Sequence, residues 1–169
     1  IIFLEGASRS LESSDEIFYL DEDAQFFAER AVYEKSILQK NVKGLVKAIF
    51  DHSDHGMLYR NSANTTANTT FNNRAANCLS LSIMTYALAE HVGLNATFYE
   101  VKIPEYWTRR EGYSLLNGHI NLRLSLPNES PVAAVGGTWA DVDFDPQMLR
   151  NYFPRNAVSK NKVIAMYYN

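Results

Sequence analysis

The chain has one cysteine in 169 residues, which excludes an internal disulfide framework and a cysteine-rich zinc site and leaves a single thiol for chemistry. That thiol leaves the compartment open between cytoplasm and periplasm. Positive charge is not in excess: 16 Lys and Arg against 19 Asp and Glu give a net charge of −3. A nucleic-acid backbone therefore has no counter-charge to meet, which argues against nucleic acid as a partner. Long apolar runs are missing as well. Nothing reaches the roughly 18 consecutive apolar residues of a spanning helix, and the opening Ile1-Ile2-Phe3-Leu4 breaks at Glu5. No integral membrane segment is expected in this piece. What is present is core-forming material, 46% hydrophobic and 12% aromatic, at a length suited to a single domain.

The first thirty residues are acidic and read as a solvated face. From Ala24 to about Phe50, apolar residues recur at helical spacing (Phe27, Ala31, Ile37, Leu38, Leu45, Ile49), which predicts amphipathic helix with a break near Gly44. Periodicity is then lost from Asp51 to Asn77. Within that stretch Ala63-Asn64-Thr65-Thr66 is repeated as Ala67-Asn68-Thr69-Thr70, read here as a mobile polar loop and a wall of a groove. The run Asp51-His52-Ser53-Asp54-His55 has ligand-type side chains but no second cluster, so no metal is expected there. Asn64, Asn68, Asn95 and Asn128 match the glycosylation acceptor pattern, as chance allows in an Asn/Thr-rich chain.

Asn77 is a good helix cap. After it Cys78, Leu79, Leu81, Ile83, Met84, Ala87, Leu88 and Val92 predict a mostly apolar helix closed by Gly93. Residues 96–103 alternate as a strand ended by Pro104. Gly118 to Leu126 alternates more cleanly, with Ile120, Leu122, Leu124 and Leu126 on one face and His119, Asn121, Arg123 and Ser125 on the other. A further strand runs from Thr138 to Asp145 and ends at Pro146, with Asp141, Asp143 and Asp145 sharing a parity. A final helix is expected from about Ser159.

The order is thus a helix N-terminus bearing cysteine, a strand bearing histidine and a strand bearing aspartates. Unpaired amides in the first turn of a helix favour a thiolate. An imidazole can hold the thiol proton and return it to a leaving group, while a carboxylate behind it fixes its tautomer. Cys78, His119 and an aspartate of the next strand have those properties. Asn77 and Asn117 are candidate oxyanion donors, although a helix cap is the simpler role for Asn77; Trp107 is a candidate groove wall, with plain packing as its other reading.

Asn77-Cys78-Leu79-Ser80 followed by Tyr86 to Ala96 resembles the cysteine helix of the transglutaminase-like superfamily. Gly118-His119-Ile120-Asn121-Leu122-Arg123-Leu124 resembles its histidine strand, and Trp139-Ala140-Asp141-Val142-Asp143 its Trp-x-x-Val-Asp element. The resemblance covers Asn77 to Pro146. It implies an α+β, papain-like fold with the cysteine helix packed on a small antiparallel sheet and extra N-terminal helices. It also implies Cys78 as nucleophile, His119 as general base and acid, and Asp143 as orienting carboxylate; Asp145-Pro146 imitates the family's Asp-Pro ending, but Asp143 fits the spacing from Trp139. The expected division is a helical and polar-loop part over 1–76, a catalytic-type core over 77–146 and a C-terminal helix over 147–169.

The expected function is thiol-dependent acyl transfer on an amide of a protein or peptide, as proteolysis, amide hydrolysis or transamidation, with no cofactor and no metal. The alternative is a catalytically idle module that binds protein or peptide. The chain opens without Met, and Val163 to Asn169 resembles the entrance to tetratricopeptide repeats, which follow such domains in some bacterial proteins. A helical-repeat domain C-terminal to Asn169 is therefore expected.

Overall fold

The structure, a computed structural model, describes residues 11–33, 38–52, 64–102, 107–110, 113–116, 119–127, 139–144 and 153–169. The helices among them are α1 (Ser14–Phe18), α2 (Glu22–Tyr33), α3 (Leu38–His52), α4 (Ala67–Asn73), α5 (Cys78–His91) and α6 (Lys160–Tyr168). The strands are β1 (Asn95–Val101), β2 (Trp107–Arg110), β3 (Tyr113–Leu116), β4 (His119–Ser125), β5 (Trp139–Val142) and β6 (Arg155–Val158). The architecture is α+β. A four-stranded antiparallel sheet has the order β5-β4-β1-β6, and β2 and β3 form a separate antiparallel hairpin for which the sequence carries no clear alternation.

Side-chain oxygens placed one residue before a helix take up amides that the first turn leaves without partners. Ser13 and Glu16 form a reciprocal capping box at α1. Asp21 accepts from the Ala24 amide at α2, and Thr66, Asn77 and Ser159 cap α4, α5 and α6. At the other end of α5, Gly93 takes a φ of 76°. Its amide donates to Glu90 and the Leu94 amide to Ala89, the paired closure that lets the chain turn at once into β1.

Helix α5 lies at the centre of the molecule. Leu81, Ile83, Leu88 and Ala89 are at most 1% exposed, as expected for a helix that is apolar nearly all round. Ile17 of α1, Ala24 and Ala28 of α2, and Phe98, Leu122, Leu124 and Val142 of the sheet join it in one core.

Three expectations are corrected. The break near Gly44 is absent, because α3 runs through Gly44 from Leu38 to His52. A helical glycine costs about 1 kcal/mol, whereas burying Val42, Leu45 and Ile49 returns about 1.5–3 kcal/mol for each side chain. The Asn/Thr-rich stretch is not wholly loop: its second repeat begins α4, with Ala67, Thr70 and Phe71 buried. Asn68 meets Asp21 twice, donating to its carboxylate and accepting from its amide, each at 2.9 Å. The side-chain pairing across the fold gives this polar segment the anchor that its low hydrophobicity does not supply. The C-terminal 147–169 stretch is not all helix either. Arg155–Val158 forms β6 along the free edge of β1, and only Lys160–Tyr168 is helical.

Candidate functional site

The position of Cys78 follows from how α5 lies on the sheet. Tyr86 stacks on Phe98 with ring centroids 4.6 Å apart. Tyr86 stands about 7.5 Å before the end of the helix, and Phe98 about 10 Å after the start of β1, so helix and strand run antiparallel. A further ~12 Å up the helix reaches Cys78, and a further ~10 Å along the strand reaches Val101, whose partner across the ladder is His119. The first turn of α5 and the start of β4 therefore share one end of the sheet. Cys78 is 8% exposed and counts with the core.

The first turn of α5 is gripped by the first Asn/Thr repeat. Asn77 Oδ1 accepts from the Ser80 amide at 2.9 Å, and Asn77 Nδ2 donates to Asn64 Oδ1 at 2.8 Å. The Thr65 amide donates to Ser80 Oγ at 2.9 Å. Asn64 in turn donates to the Tyr167 carbonyl at 2.7 Å, tying this corner to α6. The segment expected to wall a groove does lie against the helix start. Asn77 works as the cap and donates one amide hydrogen to Asn64.

His119 and Asp143 are brought together. Imidazole Nε2 lies 2.8 Å from Asp143 Oδ1 and 2.9 Å from Oδ2, with 4% and 12% of the two side chains exposed. An ionised carboxylate only accepts, so the shared hydrogen is on Nε2, which leaves Nδ1 as the ring nitrogen facing away from Asp143. Exclusion of water strengthens such a bond. The register sets His119, Asn121 and Arg123 on the face opposite Phe98, Leu122 and Val142. An approach of the thiol to the imidazole therefore runs around the end of the sheet, beside Val101.

The same face carries residues outside the three motifs' chemistry. Asn121 Nδ2 donates to Asp143 Oδ2 at 3.1 Å, and Asn121 Oδ1 accepts from Arg155 Nη1 at 3.4 Å. Arg155 and Arg123 both hold Asp141, Arg123 in a two-pronged contact at 2.8 and 3.0 Å. The guanidiniums also lie over aromatic rings: Arg123 is 3.9 Å from the Trp139 centroid and Arg155 is 4.3 Å from that of Tyr99. Burial acts to raise the pKa of Asp141, but hydrogen bonds and charge from the two arginines outweigh it and hold the carboxyl below its ordinary value. Strand alternation alone puts Asn121 and Arg123 on the face of His119. Arg155 has no such signal, because β6 exists only as an edge added to β1.

The other candidates fall outside this cluster. Trp107 opens β2 and nothing is described of its side chain, while Asn117, Asp145 and Pro146 lie outside the described residues. At the start of the Asp/His run, Asp51 pairs with Lys47 one helical turn away, and residues 53–55 lie outside the described residues. Among the described residues no group of three or more His, Cys, Asp or Glu side chains converges as a metal would require. None of the helices described is long and apolar enough to cross a membrane. Set against protein-family models, curated proteins and solved structures, the chain matches none.

Proposed function

We propose that the protein has a papain-like, transglutaminase-type core and carries out thiol-dependent acyl transfer on an amide of a protein or peptide. The observation that supports this reading is the His119–Asp143 pair, its imidazole buried and its carboxylate partly so, at the end of the sheet shared by the first turn of the cysteine helix. In the reaction the thiol proton passes to His119 Nδ1 and the sulfur of Cys78 attacks the amide carbonyl, forming a C–S bond. The tetrahedral oxyanion meets backbone amides of the first turn of α5. His119 returns its proton to the leaving amine as the C–N bond breaks, giving a thioester. Water or a second amine then attacks the thioester and gives its proton to His119; the C–S bond breaks and the proton passes from His119 back to the sulfur, restoring the thiol. Asp143 holds the ring and stabilises the imidazolium throughout.

A second reading, a module that binds protein or peptide with the three residues idle, is favoured by one observation: Cys78 is 8% exposed and grouped with the core. Thiol reactivity separates the two. If the triad works, Cys78 alkylates with iodoacetamide at pH 6 faster than N-acetylcysteine, and His119→Ala slows it. A thiol that stays inert until the chain is denatured rejects acyl transfer and leaves the binding module.

A further inference from the structure

We infer that Asn121 is a positioning residue for the His119–Asp143 pair and that Arg155, reaching in from the edge strand β6, holds the Asn121 amide in its working orientation. The inference builds on the acyl-transfer reading above.

Donors and acceptors around Asn121 set its orientation. Asn121 is 8% exposed, so its amide must find its partners in the protein. On one side stands Asp143, whose carboxylate only accepts; on the other stands Arg155, whose guanidinium only donates. The amide has a single orientation that satisfies both, with Nδ2 towards Asp143 and Oδ1 towards Arg155, and this is the orientation found. Aspartate at this position would match Arg155 but oppose Asp143. Leucine would match neither.

The Nδ2 bond engages Oδ2 of Asp143 while His119 Nε2 spans both carboxylate oxygens. It therefore limits rotation of the carboxylate, which is what sets the imidazole's plane and tautomer. The topology makes the reach feasible. His119 and Arg155 are both ladder partners of Val101, so they stand in one row across the sheet about 10 Å apart. Asp141, gripped by Arg123 and Arg155, anchors the guanidinium at its far end. The titratable and charged groups of this face, among the described residues, are His119, Asp143, Asp141, Arg123, Arg155 and Tyr99.

Two substitutions test the inference through readouts that a purely structural role would leave unchanged. Asn121→Asp keeps the shape but sets a second carboxylate against Asp143. Cys78 alkylation should be about tenfold slower than in the unsubstituted protein at pH 8 and come within about threefold of it at pH 5, where the introduced carboxyl takes a proton and donates as the amide did. Asn121→Leu has no donor at any pH and should stay about tenfold slow throughout. Independently, the nitrogen chemical shifts of His119 report its tautomer: a single Nε2–H form is expected in the unsubstituted protein and a mixture in Asn121→Leu. A folded Asn121→Leu with an unchanged rate and a single tautomer overturns the inference, as does an Asn121→Asp deficit that does not vary with pH. If Cys78 of the unsubstituted protein never alkylates, acyl transfer fails, and the tautomer comparison still judges Asn121 alone. If Asn121→Leu does not fold, Arg155→Met, which leaves the amide in place but free to turn, carries the test. A mixed tautomer supports the inference and an unchanged one overturns it.

Discussion

On one face of the sheet Phe98, Leu122 and Val142 are sealed beneath the helices, at most 2% exposed; on the other, His119, Asn121, Arg123, Asp141 and Arg155 bond to one another or to Asp143. Successive residues of the same strands contribute to both. The apolar face is held by area and close packing, which are insensitive to the direction of any one bond. The polar face is held by directional contacts, each with a definite donor and acceptor. Apolar packing and polar bonding thereby fall on opposite sides of one thin layer, so a substitution on one side can be read apart from the other.

The largest stability effect is expected from breaking the apolar side. Phe98→Ala removes the ring stacked on Tyr86 and should cost about 3–5 kcal/mol in urea unfolding. The His119–Asp143 contact should persist in the molecules that remain folded. A cost below about 1 kcal/mol would show that α5 is not anchored through this face.

The converse substitution is Asp143→Asn, which should lower Cys78 reactivity roughly 100-fold by presenting the wrong partner to Nε2. Its loss of stability, followed by the same urea titration, should be less than half that of Phe98→Ala. Equal losses of stability would erase the separation of the two faces. Unchanged reactivity would remove Asp143 from the site.

The smallest effect sharpens the electrostatic side. Arg123 and Arg155 depress the pKa of Asp141 in the folded state. Its stabilising contribution is therefore complete above the ordinary aspartate value near about 4 and is lost as pH falls through the lower folded value. Asp141→Asn should accordingly shift the urea midpoint more at pH 7 than at about pH 2.5. A shift of the same size at both pH values would mean that packing, not charge, accounts for Asp141.

Much of the site is legible in the chain because its signals are local. The cap at Asn77, the turn at Gly93 and the alternation from His119 to Leu126 depend on near neighbours, and α5, β1 and β4 fall where those signals put them. The pairing of His119 with Asp143 agrees with the spacing from Trp139. The departures share a cause. The cost of Gly44 is local, whereas the burial that outweighs it comes from packing across the molecule. Ala67–Asn73 has the composition of a loop, and its helix is secured by Asp21, 47 positions before Asn68. Arg155–Val158 has no strand pattern of its own and becomes a strand only where the edge of β1 offers free amides and carbonyls.

The sequence by itself determined where a thiol heads a helix, where an imidazole starts a strand and which strand residues share its face, because backbone periodicity and capping act over a few residues. Only the tertiary structure decided that α5 runs back along β1 towards His119. It also decided that Asp143 comes into contact with His119, and that Asn121 and Arg155 stand behind it. These are contacts between segments distant in the chain. Their geometry is settled by packing and by the matching of donors to acceptors in a partly buried layer, and no local pattern encodes that match.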